Sequence, residues 1–469
     1  MKKLSPVHRH LRLNLTIIIL LGMICTWGIA QTPESGWNQV PAILEKIVPP
    51  EFNARDFNIT DYGAIGDGQF DCTQAFVKAI DACHKAGGGR VVVPSGKFLT
   101  GAIHLKSNVN LHITGEGNIL FSQDIHQYLP VVFTRFEGVE CLNYSPFIYA
   151  YEQENLAVTG SGTIDGQADN ETWWNWVMNK KFGWKEGMPN QEKDRDLLME
   201  MADKNVPVKE RIFGEGHYLR PNFIQFYKCK NILIEGVTLK RSPMWEIHPV
   251  LCENVTVKKV TVISHGPNND GCDPESCRNI LIKDCYFDTG DDCIAIKSGR
   301  NGDGRRLKAP SENIIIQGCR MKDGHGGVVI GSEMSGNVRN VFAEDCIMDS
   351  PNLDRALRIK TNSLRGGIVE NIYMRNVNVG VVSDAVIRIY FYYAEGDVGQ
   401  HTPIVRNIYV ENVTSQASDY ALFLQGYERS PISNVQLSNC RFNGVKKPNI
   451  IKNVEGLKMK DVYINGELQ

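Results

Sequence analysis

A short pattern that recurs along the second half of the chain constrains the fold more than any other feature. Each copy is an Asn, an apolar residue, any residue, a second apolar residue, two further residues and then Val or Cys. Successive copies start 22 to 36 residues apart. The eight clear copies begin at Asn231, Asn254, Asn279, Asn313, Asn340, Asn371, Asn407 and Asn434, and a weaker one begins at Gly456.

The alternation of apolar and polar positions within each copy, together with its Val and Ile content, predicts a strand with one buried face. A strand repeat of this length is typical of a solenoid, in which each repeat packs only on its neighbours. Leucine-rich repeats would show a Leu/Asn consensus and propellers would need longer blades, and the pattern has neither. We therefore predict an all-β chain folded as a right-handed parallel β-helix, with rungs about 4.8 Å apart. The repeated Asn is expected at a bend, with its amide hydrogen-bonded to the neighbouring rungs.

Two segments outside the repeats complete the predicted fold. A short N-terminal helix from Thr73 to Lys85 has apolar residues on one face and ends at three glycines, and we expect it to cap the first rung. A long irregular stretch over residues 167–220 contains four Trp and many charges. We predict that it is a long inserted loop region, and loops of that length are usually functional.

The first 30 residues have the features of a targeting segment. Four basic residues precede an apolar stretch at residues 15–24, and small residues follow it. We predict a signal peptide over residues 1–30, export to the periplasm or the medium, and a single parallel β-helix domain over residues 31–469. A membrane anchor that stays attached is the alternative, although the stretch is short for a bilayer span. No later stretch resembles a transmembrane helix, so no integral membrane segment is expected in the mature chain.

The charge of the chain argues against a nucleic-acid partner. Removal of residues 1–30, which contain four basic and no acidic residues, takes the formal net charge from -2 to about -6. A mildly acidic protein is a poor ligand for nucleic acid, and recognition of an anionic substrate would need a local basic patch. We expect a monomer that binds no nucleic acid.

Most of the 13 cysteines stand at positions that predict buried free thiols rather than disulfides. Seven of them fall at two positions of the repeat. The last position of the pattern, which is Val in the other clear copies, holds Cys285, Cys319, Cys346 and Cys440. The position two residues before the repeat Asn holds Cys229, Cys252 and Cys277. A Cys that alternates with Val behaves as a small apolar residue. No Cys-x-x-Cys or His-x-x-x-His spacing occurs, so no metal site is predicted.

Polar residues stack at one place on successive rungs. Four stretches align without gaps: NDGCDPES from Asn269, DDCIAIKS from Asp291, HGGVVIGS from His325 and DRALRIKT from Asp354. Their first residues form one column, and their second residues form the adjacent one. We therefore predict that three carboxylates and an imidazole meet on one outer surface of the solenoid: Asp270, Asp291, Asp292 and His325.

Carboxylates clustered in this way have a chemical use. Like charges in close contact cannot all ionise cheaply, so at least one carboxyl keeps its proton to higher pH. A protonated acid beside an ionised base is what hydrolysis of a glycosidic bond requires. Asn-Asp-Gly or Gly-Asp-Asp alone is common in turns, but like charges stacked in register cost stability and favour a functional site.

Basic residues are expected close to these acids. Arg358 and Lys360 are two apart on a predicted strand, so they face the same way while Ile359 faces the core. Two parallel cations suit a sugar that carries a carboxylate. The stretch Ser298–Pro310, which we predict to be a basic loop, is a second candidate for the same groove, with surface solvation as the alternative. One rung before the first acid, two residues are candidates either for sugar contact or for local packing: Trp245 and His248.

The motifs resemble those of glycoside hydrolase family 28, the polygalacturonase family, which carries Asn-Thr-Asp, Asp-Asp, Gly-His-Gly and Arg-Ile-Lys in that order. Here they stand as Asn268-Asn269-Asp270, Asp291-Asp292, Gly324-His325-Gly326 and Arg358-Ile359-Lys360. The match runs from about Phe57 to the C-terminus. Asn269 in place of the usual Thr is the one departure.

The resemblance implies inverting, single-displacement hydrolysis of α-1,4-linked galacturonic acid in pectin or oligogalacturonides, with residues 31–469 as the catalytic domain. In that reaction Asp291 would protonate the leaving oxygen. Asp270 and Asp292 would hold and deprotonate the attacking water, and His325 would assist the acid. Substrate binding would fall to three residues: Asn268, Arg358 and Lys360. Inversion would need carboxyl groups roughly 6.5–9.5 Å apart. No metal or organic cofactor is expected.

The Trp-rich insertion and the stretch over residues 218–249 resemble the exo-acting branch of that family. A loop that closes one end of the groove would enforce attack from a chain end. Three other functions stay open: hydrolysis of rhamnogalacturonan or xylogalacturonan, calcium-dependent pectate lysis, and non-catalytic glycan binding by the same solenoid.

Overall fold

The computed structural model describes residues 36–469, so the predicted signal peptide lies outside the described residues. Within these residues, four α-helices accompany the strands: α1 (Val40–Leu44), α2 (Thr73–Lys85), α3 (Glu192–Asp203) and α4 (Asn301–Leu307). Within the described part of the chain, no helix combines the length and the apolar character needed to cross a bilayer.

The chain winds into a right-handed parallel β-helix, as predicted, and its strands stack in three parallel ladders. Ladder one carries the sequence repeat, and its strands are Asp56–Asn58, Gly89–Val93, Val109–Ile113, Glu154–Gly160, Lys230–Glu235, Glu253–Lys258, Arg278–Lys283, Ser311–Gln317, Val338–Glu344, Ile368–Val381, Ile404–Ala417, Ile432–Phe442 and Lys458–Ile464. Two short strands, Val454–Glu455 and Glu467–Leu468, pair at its C-terminal end.

Ladder two follows ladder one in each coil. Its strands are Asp67–Asp71, Gly96–Thr100, Gly117–Phe121, Thr163–Asp165, Thr238–Lys240, Thr261–Ser264, Tyr286–Thr289, Arg320–Met321 and Ile347–Met348, after which the long ladder-one strands supply it. Ladder three holds Ile103–His104, Ile148–Tyr151, Ile224–Tyr227, Ile294–Ile296, Val328–Ile330, Arg355–Lys360, Ala385–Tyr390, Tyr420–Gln425 and Ile450–Lys452. Single bridges through Ile247 and Cys272 continue it between Tyr227 and Ile294.

The repeat pattern forms the core in the predicted register. The first apolar residue of each copy pairs with its counterpart one coil away, as in Ile280 with Ile314 and Ile314 with Val341. The repeat Asn residues adopt left-handed backbone with φ of 55–61°, which Asn tolerates better than most residues. Most of their side chains bond from coil to coil, for example Asn340 Nδ2 to Asn313 Oδ1 at 3.1 Å. The expected bend and amide ladder are therefore confirmed.

The outer face of ladder one carries charges of alternating sign. Glu253, Arg278, Glu312, Arg339 and Glu370 stand directly opposite one another on successive coils, and Arg406 continues the series. The Arg278–Glu253, Arg339–Glu312 and Arg406–Glu370 pairs lie at 2.7, 2.6 and 2.7 Å. Opposite charges on adjacent strands support the register that the apolar core sets.

Helix α2 caps the first coil, as predicted, and buries its apolar face against strands Asp56–Asn58 and Gly89–Val93. The predicted thiols are also confirmed, since all twelve cysteines within residues 36–469 are buried and free. An unpredicted segment covers ladder one from outside. Trp37 and three apolar residues around α1 pack on outward-facing aromatic residues that include Phe342.

The stretch over residues 167–220 is irregular, as predicted, with α3, three short 3-10 turns and strand Ile212–Phe213 inside it. Trp173 and Trp176 are buried among aromatic rings of the first coils, so these two build the loop itself. A hairpin of Val132–Phe136 and Val139–Asn143 pairs with Ile212–Phe213. Helix α3 packs on this hairpin and on α4.

Candidate active site

The strand register of ladder three brings the four aligned stretches together. Cys272 pairs with Ile294, Ile294 with Val328, and Val328 with Leu357. These pairs reproduce the gap-free alignment of the sequence. The polar columns therefore stack at the start of ladder three, where each coil enters that ladder from a loop.

Two of the three predicted carboxylates, Asp270 and Asp291, line an open cavity of about 260 Å³, and Asp292 is buried next to them. One oxygen each from Asp270, Asp291 and Asp292 lies within 4.8 Å of the other two. These closest approaches between oxygens are shorter than the spacing between carboxyl groups that an inverting mechanism led us to expect. The spacing alone therefore does not argue for inversion.

Asp291 and His325 form a hydrogen-bonded pair at the cavity surface. His325 Nδ1 lies 3.0 Å from Asp291 Oδ1, and the backbone N–H of Asp292 donates to the same oxygen at 2.9 Å. The hydrogen bond with Asp291 raises the pKa of His325 to about 9. Burial raises the pKa of Asp291, but His325, Lys360 and Arg358 outweigh burial and bring it below its usual range. The pair thus holds one proton at neutral pH, and it resides on His325.

Asp270 is buried and in contact with a cation. Lys297 Nζ lies 3.6 Å from its Oδ2, whereas its Oδ1 has no hydrogen-bond partner among the described residues. Burial raises the pKa of Asp270 well above its usual value, and the nearby Asp273 and Asp291 raise it further. Its environment therefore differs from that of Asp291, because their pKa values move in opposite directions.

Asp292 is fully buried and receives both cations of the Arg-Ile-Lys motif. Arg358 Nη1 donates to one oxygen at 3.2 Å and Lys360 Nζ to the other at 2.6 Å. Ile359 points into the core, as predicted. Both cations also line the cavity and lie over the ring of Tyr393, at 5.4 and 5.3 Å.

Asn268 lines the cavity, as its assignment to substrate binding requires, and its Oδ1 accepts a hydrogen bond from Arg220 at 2.7 Å. Asn269 instead turns inward. Its Oδ1 accepts from the Ser264 hydroxyl and the Gly266 N–H, and its Nδ2 donates to two backbone carbonyls. The residue that replaces the usual Thr therefore holds the loop before Asp270.

Other candidates from the sequence divide between the cavity and the interior. Trp245 lines the cavity, whereas His248 is fully buried, is hydrogen-bonded to Glu275 and does not line the cavity. The basic stretch Ser298–Pro310 was predicted as a loop, but it contains the short helix α4. Of its four basic residues, Arg300 lines the cavity.

Several cavity residues come from segments without repeats, and the sequence singled out none of them except Arg300. Arg195 of α3 and Arg300 both pair with Glu137, at 2.8 and 2.7 Å. Arg300 and Arg365 both pair with Glu395, at 3.2 Å each. These five residues, called the end network below, join the hairpin turn, α3 and the loops that follow three strands of ladder three.

Two family models match the sequence. The model described as Glycosyl hydrolases family 28 matches residues 213–462, more than half of the chain. The chain belongs to glycosyl hydrolases family 28. A second model, Rhamnogalacturonase A/epimerase, pectate lyase-like, matches residues 57–127 at the N-terminal coils. As a family 28 member the protein is a glycoside hydrolase.

This family 28 chain is similar to proteins of known structure and of curated activity. It shares 48% identity with the crystal structure of a hyperthermoactive exopolygalacturonase from Thermotoga maritima, over 92% of this chain and 97% of that one, with a TM-score of 0.90. It is 29% identical to a probable polygalacturonase of Vitis vinifera over 86% of this chain and 78% of that protein. It is 28% identical to an exo-poly-alpha-D-galacturonosidase of Dickeya chrysanthemi over 84% and 68%.

Proposed function

We propose that this family 28 enzyme hydrolyses α-1,4-linked galacturonic acid in polygalacturonate, and that it does so from a chain end. The observation that carries the proposal is the meeting of Asp270, Asp291 and Asp292 within 4.8 Å. The first two line a cavity that Arg358 and Lys360 also line. The carboxylates supply acid and base, and the cations supply partners for the carboxylate of the sugar.

In this mechanism Asp291 donates a proton to the glycosidic oxygen as the bond from that oxygen to C1 breaks. A water held by Asp270 and Asp292 attacks C1 and gives up a proton to one of these carboxylates. One proton is donated and one is taken up, so both groups must exchange protons before the next cycle. Inversion at C1 rests on the family resemblance, and the anomer of the product measured by NMR tests it.

Substrate binding would shift toward Asp291 the proton that resides on His325 in the free enzyme. Arg358 and Lys360 help to keep the pKa of Asp291 low. A galacturonate carboxylate placed beside these two cations neutralises them, and the pKa of Asp291 rises as a result. The proton of the His325–Asp291 pair then moves toward the glycosidic oxygen. The acid is strengthened only when an anionic sugar is present.

The end network supports attack at a chain end. It crosses one part of the cavity and joins elements that are far apart in sequence, from Glu137 to Glu395. A wall of this kind would stop a long polymer from continuing past the site. The similar enzymes from Thermotoga maritima and Dickeya chrysanthemi, whose names state exo action, support the same mode.

Product analysis on polygalacturonic acid tests the proposal. Monomer from the first minutes supports exo action, whereas a ladder of oligomers would mean endo action. Products with an ultraviolet-absorbing double bond, whose formation stops when a chelator is added, would mean a calcium-dependent lyase. Activity confined to rhamnogalacturonan or xylogalacturonan would mean that the substrate is a different pectic polymer. No turnover of any of these polymers would favour glycan binding alone.

A pair of variants tests the assignment of the acid. Asp291→Asn is expected to lower kcat by about 10²–10⁴-fold, the usual contribution of a general acid. Asp354→Asn is the matched control, because Asp354 stands in the same column but pairs with Arg355 and Ser383 instead of lining the cavity. Equal activity of the two variants would refute the role of Asp291.

We also propose export by the segment over residues 1–30 and a monomeric enzyme. The support for export is the basic and apolar pattern of that segment. Cleavage after residue 30, read by N-terminal sequencing of the exported protein, tests export, and light scattering tests the monomer.

A further inference from the structure

Lys297 is a buried cation in the wall of the cavity. It is the seventh residue of the stretch DDCIAIKS and follows strand Ile294–Ile296. Its side chain is only 2% exposed. A buried ammonium group is costly unless opposite charges surround it, so its partners indicate why it is there.

Three carboxylates surround the Lys297 ammonium. Its Nζ lies 3.6 Å from Asp270, 3.7 Å from Asp273 and 3.4 Å from Glu333. The ring of Trp245 lies beneath it, 4.3 Å from ring centre to Nζ. Both oxygens of Asp273 and one of Asp270 are buried without a hydrogen-bond donor in residues 36–469. This ammonium is therefore the main compensation for their charge.

The cations of the cavity thus divide between two acids. Arg358 and Lys360 donate hydrogen bonds to Asp292. Lys297 contacts Asp270, which receives none from them. The two carboxylates proposed to activate the water are each balanced by their own cation or cations.

We propose that Lys297 is a positioning residue that favours the ionised form of Asp270 against burial and the neighbouring acids, and so favours the form that accepts a proton from the attacking water. The inference rests on the proposed hydrolysis, in which Asp270 is one of the bases. It extends the catalytic machinery to a residue that neither touches the reacting atoms nor belongs to the four family motifs.

The groups that face Asp270 determine the direction of the effect. Asp273 on its own stretch and Asp291 and Asp292 on the next coil favour the neutral acid, whereas Lys297 favours the carboxylate. Arg220, which lies against Asn268, adds a weaker positive charge nearby. Removal of Lys297 leaves these three carboxylates opposed only by the weaker effect of Arg220, so Asp270 would hold its proton to higher pH.

Lys297→Met removes the charge and keeps most of the side-chain volume, and Lys297→Arg keeps the charge. We expect the acidic limb of kcat/KM on polygalacturonate to move to higher pH in Lys297→Met, by about one unit or more, the effect of a charge at this distance. Lys297→Arg should keep the limb of the wild type. A purely structural role would lower the melting temperature of both variants and leave the limb where it is.

A titration of the Asp270 carboxyl by ¹³C NMR, assigned with Asp270→Asn, provides a readout that does not depend on turnover. The midpoint should rise in Lys297→Met. An unchanged midpoint and an unchanged limb would overturn the role of Lys297 while the wild type still hydrolyses polygalacturonate. A wild type that releases no product would instead overturn the proposed hydrolysis, and the role of Lys297 with it. If Lys297→Met does not fold, Lys297→Gln replaces it in both measurements.

Discussion

Replacement of Lys360 by Met would remove one of the two cations that contact the buried carboxylate of Asp292. Lys360 Nζ lies 2.6 Å from Asp292, and Arg358 at 3.2 Å is the partner that stays. Breaking a buried ion pair costs about 3–5 kcal/mol when the remaining charge has no partner. Since Arg358 still compensates Asp292, we expect a loss of about 2 kcal/mol for Lys360→Met.

A double-mutant cycle isolates the interaction. Urea unfolding of Lys360→Met, Asp292→Asn and the double variant should give a coupling energy of about 1–3 kcal/mol, because the two groups share one contact. The same Lys360→Met protein should show a raised KM for polygalacturonate, since it has lost a cation that we propose binds the sugar carboxylate.

An ion pair whose lysine is exposed provides the control for burial. Lys322 Nζ lies 3.0 Å from Asp288, but the lysine side chain is 48% exposed. Lys322→Met should therefore shift the unfolding midpoint much less than Lys360→Met does. Equal shifts in the two variants, or a coupling energy near zero for Lys360 and Asp292, would refute the argument that the buried cation stabilises the site.

Three further predictions concern the acid, the end network and the amide ladder. The pair of His325 and Asp291 should lose its proton as pH rises through about 9, so kcat/KM should fall at that pH. In a pH–rate profile, His325→Gln should move this fall in kcat/KM to lower pH. Glu137→Gln removes the charge that two arginines share, and chromatography of early products should then show oligomers beside the monomer; monomer alone would contradict the proposed wall. Asn340→Ala should lower the free energy of unfolding by about 1–3 kcal/mol, because it strains a positive φ and breaks the bonds to its neighbours. Asn340→Gly, which relieves the strain, should recover part of that loss.

The register of the site could be predicted because a solenoid converts spacing in sequence into neighbours in space. Asp270 and Asp292 are one coil apart, so a gap-free alignment was enough to place them together. The same alignment puts Lys297 in the column of Lys360, and that signal was present but not used. The alignment put Asn269 in the column of Asp291, but it could not predict the inward turn of the side chain, which depends on the carbonyls of the preceding coil.

The end network and the outer cover of ladder one lie beyond what repeats can predict. Glu137 and Arg195 come from a hairpin and a helix that have no counterpart in other coils, so no column marks their positions. Trp37 packs on side chains more than 300 residues later, among them Phe342. Such contacts depend on how a single insertion folds back, and periodicity contains no information about it.

Because the charges on the outer face of ladder one alternate in sign from coil to coil, opposite charges stay paired only when the number of coils changes by an even number. Excision of a single coil would place Arg278 beside Arg339, or Glu312 beside Glu370, and like charges on adjacent strands repel one another. Excision of two coils would restore every pairing of opposite sign. This part of the molecule should therefore tolerate growth or shortening by even numbers of coils better than by odd ones.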